Sequence, residues 1–182
     1  MQWFFWVLFF AVAAQRLCEL QLAARNGRRL RQQGAVEWGA KHYPIIVVIH
    51  VFFFLSWWVE VVYVQPPVPV WWPVPLGIFL LTQALRIWVL ATLGPFWNTR
   101  ILVIPGMRPI QHGPYRWLRH PNYVAVILEM VTLPLIFGAW FSALVPTAIH
   151  LAFLLRVRIP VENAALQQAA HSTMPSSTKS AK

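Results

Sequence analysis

Aspartate is absent from this 182-residue chain, and its acidic residues are five glutamates. That shortage excludes an acidic metal cage and a soluble hydrolase built on paired carboxylates. The single cysteine, Cys18, excludes an intramolecular disulfide, and no Cys/His spacing suggests a zinc site, so no metal is expected. Charged residues make up only 11% of the chain, against about a quarter in soluble proteins. What fills the space is apolar: 58% of residues are hydrophobic, with 11 Trp and 12 Phe. This composition reads as an integral membrane protein.

The net charge of +10 invites a nucleic-acid reading, but the placement of the charges argues against it. Crossing ~30 Å of hydrocarbon takes roughly 20 apolar residues, or somewhat fewer in a tight hairpin, and such runs lie near 2–24, 44–64, 71–93, 122–137 and 140–155, the last two forming the hairpin. All but two of the fifteen Lys and Arg residues fall in the segments 25–43, 94–121 and 156–182, while 65–70 and 138–139 hold none. The positive-inside rule therefore places the basic segments and the C-terminus in the cytosol and the N-terminus outside, in a membrane of the bacterial inner type. Ala11-Val12-Ala13 has the look of a signal cleavage site, but no Lys or Arg precedes the apolar run, so a permanent anchor is expected. The expected fold is all-α and polytopic: about five transmembrane helices with a C-terminal helical hairpin. Residues 1–93 form the first three spans, 94–166 a motif loop, hairpin and binding segment, and 167–182 a disordered tail rich in Ser, Thr and Lys from Ser172 onward.

Charged side chains inside spans persist only with a partner or a purpose. Arg16 and Glu19 are three apart and share a helix face. Glu60 and Arg86 lie on successive antiparallel spans; Arg86, deeper toward the cytosol, has Glu19 and Glu129 as alternative partners. His50 and His150 read as hydrogen-bonded structural histidines and receive no chemistry.

The segment His112-Gly113-Pro114-Tyr115-Arg116-Trp117-Leu118-Arg119-His120-Pro121-Asn122-Tyr123 interrupts the hydrophobic pattern just before the hairpin. It brings two His, two Tyr and two Arg to the membrane surface. An interfacial belt would account for that composition. The order says more: His-Gly-x-Tyr followed by Arg-His-Pro-x-Tyr at the start of a hairpin resembles the isoprenylcysteine carboxyl methyltransferase family of integral-membrane methyltransferases. After the hairpin that family carries an Arg-rich turn into an acidic pair. Here Arg156-Val157-Arg158-Ile159-Pro160-Val161-Glu162-Asn163 keeps the first Glu and replaces the second by Asn163. The likeness covers roughly 90–166. Within the family, 25–43 and the stretch from Asn122 to Glu129 look most like the bacterial branch found with type III polyketide synthases, whose members O-methylate alkylpyrones and related phenolic lipids.

The resemblance implies an S-adenosylmethionine-dependent O-methyltransferase acting on a lipophilic small-molecule acceptor, in contact with membrane lipid and without nucleic acid. No G-x-G-x-x-G turn is present to bind the donor as soluble enzymes do. By resemblance, His112, Gly113, Tyr115, His120, Pro121 and Tyr123 line the donor pocket and Glu162 forms its acidic wall. Tyrosine faces suit a sulfonium by cation–π attraction. Arg119 is suited to the donor carboxylate or the acceptor oxygen. Arg158 and Glu162, four apart, are placed to orient each other, with Pro160 between them as a potential helix break. Glu129 lies two turns below Asn122 on the same face, which suits it equally to be a base for the acceptor hydroxyl or a partner of Arg86. The chain departs from the family's acidic, aromatic tail, so water exclusion falls to the basic segment holding Gly34, Glu37, Trp38, His42 and Tyr43. Rival readings are a prenylcysteine or phospholipid acceptor, an NADPH-dependent membrane reductase, and a non-catalytic scaffold.

Overall fold

The computed structural model describes residues 1–171. Six helices dominate: α1 (Gln2–Gln32), α2 (Tyr43–Val59), α3 (Pro73–Leu93), α4 (Pro121–Leu135), α5 (Trp140–Phe153) and α6 (Ile159–His171). The runs Gln2–Gln32, Ala40–Val64, Pro73–Phe96 and Trp140–Ala170 are long and apolar enough to cross a membrane. α4 is apolar but only 15 residues long, about 22 Å at 1.5 Å per residue. The polytopic all-helical architecture is as the sequence implies. α1 outruns its apolar stretch, carrying Arg25, Arg28, Arg29 and Arg31 on a helical extension. α6 reaches His171, so helix occupies the start of the 167–182 segment expected as a tail; positions 172–182 lie outside the described residues.

α4 and α5 form the hairpin. Gly138 turns it at φ 73°, where a side chain would overlap the carbonyl of Pro67 in the opposite link. Glu60 meets the start of α5, accepting bonds from the backbone N–H groups of Phe141 (3.0 Å) and Ser142 (2.8 Å) and from the Ser142 hydroxyl (2.6 Å). A carboxylate there satisfies donors that the first turn leaves unpaired. Glu60 is thus a helix cap, and Arg86 pairs with the other two glutamates considered for it.

The end of the bundle away from the basic loops is an aromatic core. Phe5 packs edge-on against Trp57 (5.2 Å, 83°) and Phe137 (5.4 Å, 88°), and Trp57 is fully buried. At the basic end the structure adds an element that the helical reading did not contain. β1 (Val36–Trp38) pairs antiparallel with β2 (Ile101–Val103), Val36 opposite Val103 and Trp38 opposite Ile101. This ribbon lies beside α6: Gly39 approaches Val161, and the Gly106 N–H bonds the carbonyl of Ala169 at 2.9 Å.

α5 passes into α6 through a widened π-helical turn, Leu154–Arg158. Pro160 falls just beyond it, where regular i to i−4 bonding is already interrupted, so the helix continues instead of breaking.

Candidate functional site

The loop between α3 and α4 is pinned before it reaches its functional residues. Asn26 donates to the carbonyls of Gly94 (3.2 Å) and Trp97 (2.8 Å), and Asn98 donates to that of Ala23 (2.9 Å). Gly113, at φ 61°, sits so close to the Thr92 side chain that no Cβ fits. The short helical turn Gly113–Arg116 is thereby seated on the end of α3 with Pro114 buried and Tyr115 half-buried. Pro121 opens α4, a position where its missing N–H costs nothing.

Tyr123, in the first turn of α4, joins the pieces. Its ring stacks on His120 (5.5 Å, 24°), its hydroxyl donates to Glu162, and Arg158 Nε donates to that hydroxyl at 3.0 Å. Arg158 also donates through Nη2 to the Thr99 carbonyl at 2.7 Å. His120 Nδ1 faces Glu162 Oε1 at 3.7 Å, and that carboxylate raises the imidazole pKa against the opposing effect of burial. Burial, reinforced by the Glu162 charge, pushes the Tyr115 phenol up, so it stays a neutral hydrogen-bond donor. Arg158 and Glu162 therefore meet through Tyr123, not face to face.

These groups bound one end of a cavity of about 590 Å³. Tyr115, Arg119, His120, Tyr123, Arg158 and Glu162 line that end, together with Asn122, whose buried Oδ1 has no partner among the described residues. Deeper in the bundle the wall includes Arg16, Glu19, His50, Arg86 and His150. Apolar side chains complete the wall, among them Leu20, Val47, Val51 and Leu55, which are exposed along α1 and α2. Tyr43 lines the cavity beneath Arg100, whose guanidinium sits 4.2 Å from the ring centroid. Glu37 ties the ribbon down through Arg31 and Arg100, both at 2.6 Å, which together draw its pKa below the ordinary value. Of the residues expected to exclude water, Tyr43 lines the cavity, while Gly34, Glu37, Trp38 and His42 are not part of its wall.

Four residues named with the site stand apart from the cavity wall. His112 is exposed, while Gly113 and Pro121 shape the backbone without lining the space. Glu129 is buried one layer away, lining a small recess with Arg16 and His50. Its Oε1 accepts from Gln83 at 2.7 Å; its Oε2 accepts from Arg86 at 3.2 Å and from Arg16. Arg86 also binds both oxygens of Glu19, and Arg16 reaches Glu19 at 2.9 Å. Sequence reading placed Arg119, His120, Tyr123, Arg158 and Glu162 together, and they are together. It did not bring His50 and His150 into the cavity; their signal was two imidazoles at apolar positions, His50 lying seven residues beyond Tyr43 on the same helical face. Among the described residues no His/Cys/Asp/Glu group is placed to hold a metal ion.

Residues 75–168 match the isoprenylcysteine carboxyl methyltransferase (ICMT) family. An uncharacterized protein of Bacillus subtilis (strain 168), YpbQ, is 41% identical over 164 residues, covering 90% of this chain and 97% of that protein. An uncharacterized protein of Haemophilus influenzae is 26% identical over 161 residues, covering 88% and 93% respectively. No solved structure gives a significant match.

Proposed function

Because the chain belongs to the isoprenylcysteine carboxyl methyltransferase family, a membrane methyltransferase family whose members use S-adenosylmethionine, we propose that it methylates an oxygen on an alkylpyrone or phenolic-lipid acceptor. The observation that carries this reading is one cavity that joins the polar groups of the loop to an apolar wall and is large enough for a small molecule. The donor supplies an activated methyl group on a sulfonium cation.

Protein groups suited to that donor gather at the loop end. The faces of Tyr115 and Tyr123 and the charge of Glu162 favour a cation, and Arg119 offers a guanidinium to a carboxylate. The unpartnered Asn122 Oδ1 awaits a donor such as an ammonium or an amine. Arg158 acts on this set by holding Tyr123 and Thr99 in place. His112, Gly113 and Pro121 serve by setting the loop path. The exposed apolar stretch Leu20, Val47, Val51 and Leu55 suits an alkyl chain arriving from the bilayer. Glu129, with both oxygens occupied, serves in this reading as an anchor for Arg16 and Arg86. The clustering of Lys and Arg at the loop end supports a cytosolic site, with the N-terminus on the far side of a bacterial inner membrane.

Purified protein given labelled S-adenosylmethionine with alkylpyrone, alkylresorcinol, prenylcysteine and phospholipid acceptors in parallel tests this. Label in an alkylpyrone or alkylresorcinol ether is expected. Transfer only to prenylcysteine or phospholipid would replace the acceptor class, and calorimetric binding of NADPH without S-adenosylmethionine would replace the reaction. Engineered cysteines near Val68 and Met107 test orientation: outside labelling at the first and cytosolic labelling at the second are expected, and the reverse would invert the topology.

A further inference from the structure

The cavity wall holds two imidazoles whose chemistry is unspent. His50, on α2, and His150, on α5, meet edge to face at 4.9 Å and 84°, and both line the cavity. His50 Nδ1 lies 2.8 Å from the Ile46 carbonyl. A carbonyl only accepts, so the proton is on Nδ1 and Nε2 carries the lone pair. Nε2 has no partner among the described residues, and neither has the buried Nδ1 of His150.

The charged groups around the pair do not claim it. Arg16 and Glu19 on α1, Arg86 on α3 and Glu129 on α4 face this region, two cations against two carboxylates, and they bind one another. This network makes no bond to either imidazole. A lone pair held by a backbone-fixed ring, opening on a ligand-sized cavity, is the arrangement expected of a general base.

We propose that His50 Nε2 is the base that takes the proton from a weakly acidic hydroxyl of the acceptor, with His150 positioning the acceptor beside it. The assignment rests on the methyl-transfer reading above and names its acceptor chemistry: an apolar chain bearing a phenol or enol. As the acceptor oxygen bonds to the methyl carbon, the S–C bond breaks with its electron pair left on sulfur. The hydroxyl proton passes to Nε2 and from there to water through the cavity.

A chromogenic probe, a long-chain 4-alkyl-2-nitrophenol, reports on the base without any donor present. Bound to the wild-type protein in detergent, its phenolate absorbance should appear at a pH about one unit lower than when bound to His50→Gln, a tenfold change in ionisation. With donor saturating, His50→Gln should cut the methylation rate of weakly acidic phenols about 100-fold and that of already ionised acceptors less than 5-fold. Equal probe ionisation in the two proteins, or a uniform loss across acceptors, overturns the assignment. If His50→Gln does not fold, nitrogen NMR of histidine-labelled wild-type protein tests the same proton transfer. Probe binding should then move the His50 Nε2 resonance, and an unmoved resonance overturns it. Calorimetry of wild type with S-adenosylmethionine separates the failures, since absent donor binding removes the methyl-transfer reading whereas intact transfer with an indifferent His50→Gln removes only the base.

Discussion

Two clusters of arginine and carboxylate meet α4, one at Glu129 and one at Tyr123 six residues earlier, and they are built on opposite plans. Around Glu129, every charged group is spent on another: Arg16 and Arg86 share two glutamates, with Gln15 and Gln83 bonding the carboxylates as well. Around Glu162, the bonds run through one hydroxyl. Arg158 has a carbonyl and Tyr123, His120 stands 3.7 Å off, and Arg119 and Asn122 Oδ1 are left over at the cavity wall. A closed network holds helices together in a medium where an unpaired charge is expensive. An open one keeps capacity for a ligand. The same residue types thus do different work according to how many of their bonds are already made.

Breaking the closed network should have the largest effect on stability. Arg86→Met leaves Glu19 and Glu129 with only Arg16 between them and is expected to cost about 3 to 5 kcal/mol, read by denaturant or thermal unfolding in detergent. Adding Glu129→Gln to it should recover part of that loss, a non-additive cycle. Additive costs would mean the two residues do not interact. Opening the other cluster should divide the effects differently. Glu162→Gln is expected to weaken S-adenosylmethionine binding about 10- to 100-fold, equivalent to roughly 1.5 to 3 kcal/mol for a charge-assisted bond, with a smaller loss of stability than Arg86→Met. A larger loss of stability with unchanged donor affinity would put both clusters in one structural class.

The open cluster should also be the one that responds to mild pH change. His120 titrates above its usual 6.5 because Glu162 favours its charged form. Its contribution is fully present below pH 6.5 and fades as pH rises through the elevated folded value. The difference in melting temperature between wild type and His120→Gln should shrink across that window; a difference that stays flat would deny the pairing. The smallest effect belongs to the exposed clasp at Glu37. Its depressed pKa means the contribution is present above 4.5 and is lost as pH falls through the lower folded value. Glu37→Gln should cost under about 1 kcal/mol in unfolding at neutral pH.

The bundle was largely legible because hydropathy and charge are one-dimensional signals: an apolar run and its basic flank locate a span without reference to its neighbours. α1 exceeds its apolar run since helix can continue into water once nucleated, and hydropathy marks only the membrane edge. The β1–β2 ribbon left no trace, each strand being three residues long and its partner lying in another loop. At the site, the motif residues around Tyr123 were readable from their order. Which glutamate Arg86 would choose was not, because depth along a helix sets the candidates and packing selects among them; here packing selected two. His50 and His150 were invisible as a pair for the same reason, since no sequence spacing relates α2 to α5.

The shared arginine has a consequence for the order in which the chain is made. Arg16 and Glu19 neutralise each other within α1 as soon as that helix forms, and Arg86 arrives 67 residues after Glu19. The second carboxylate, Glu129, follows 43 residues later still. At about 5 to 20 residues per second of translation, α3 waits roughly 2 to 9 s with a cation that α1 alone only half neutralises. The third helix is therefore a provisional passenger in the membrane, retained against α1 until the fourth emerges from the ribosome and completes the charge balance.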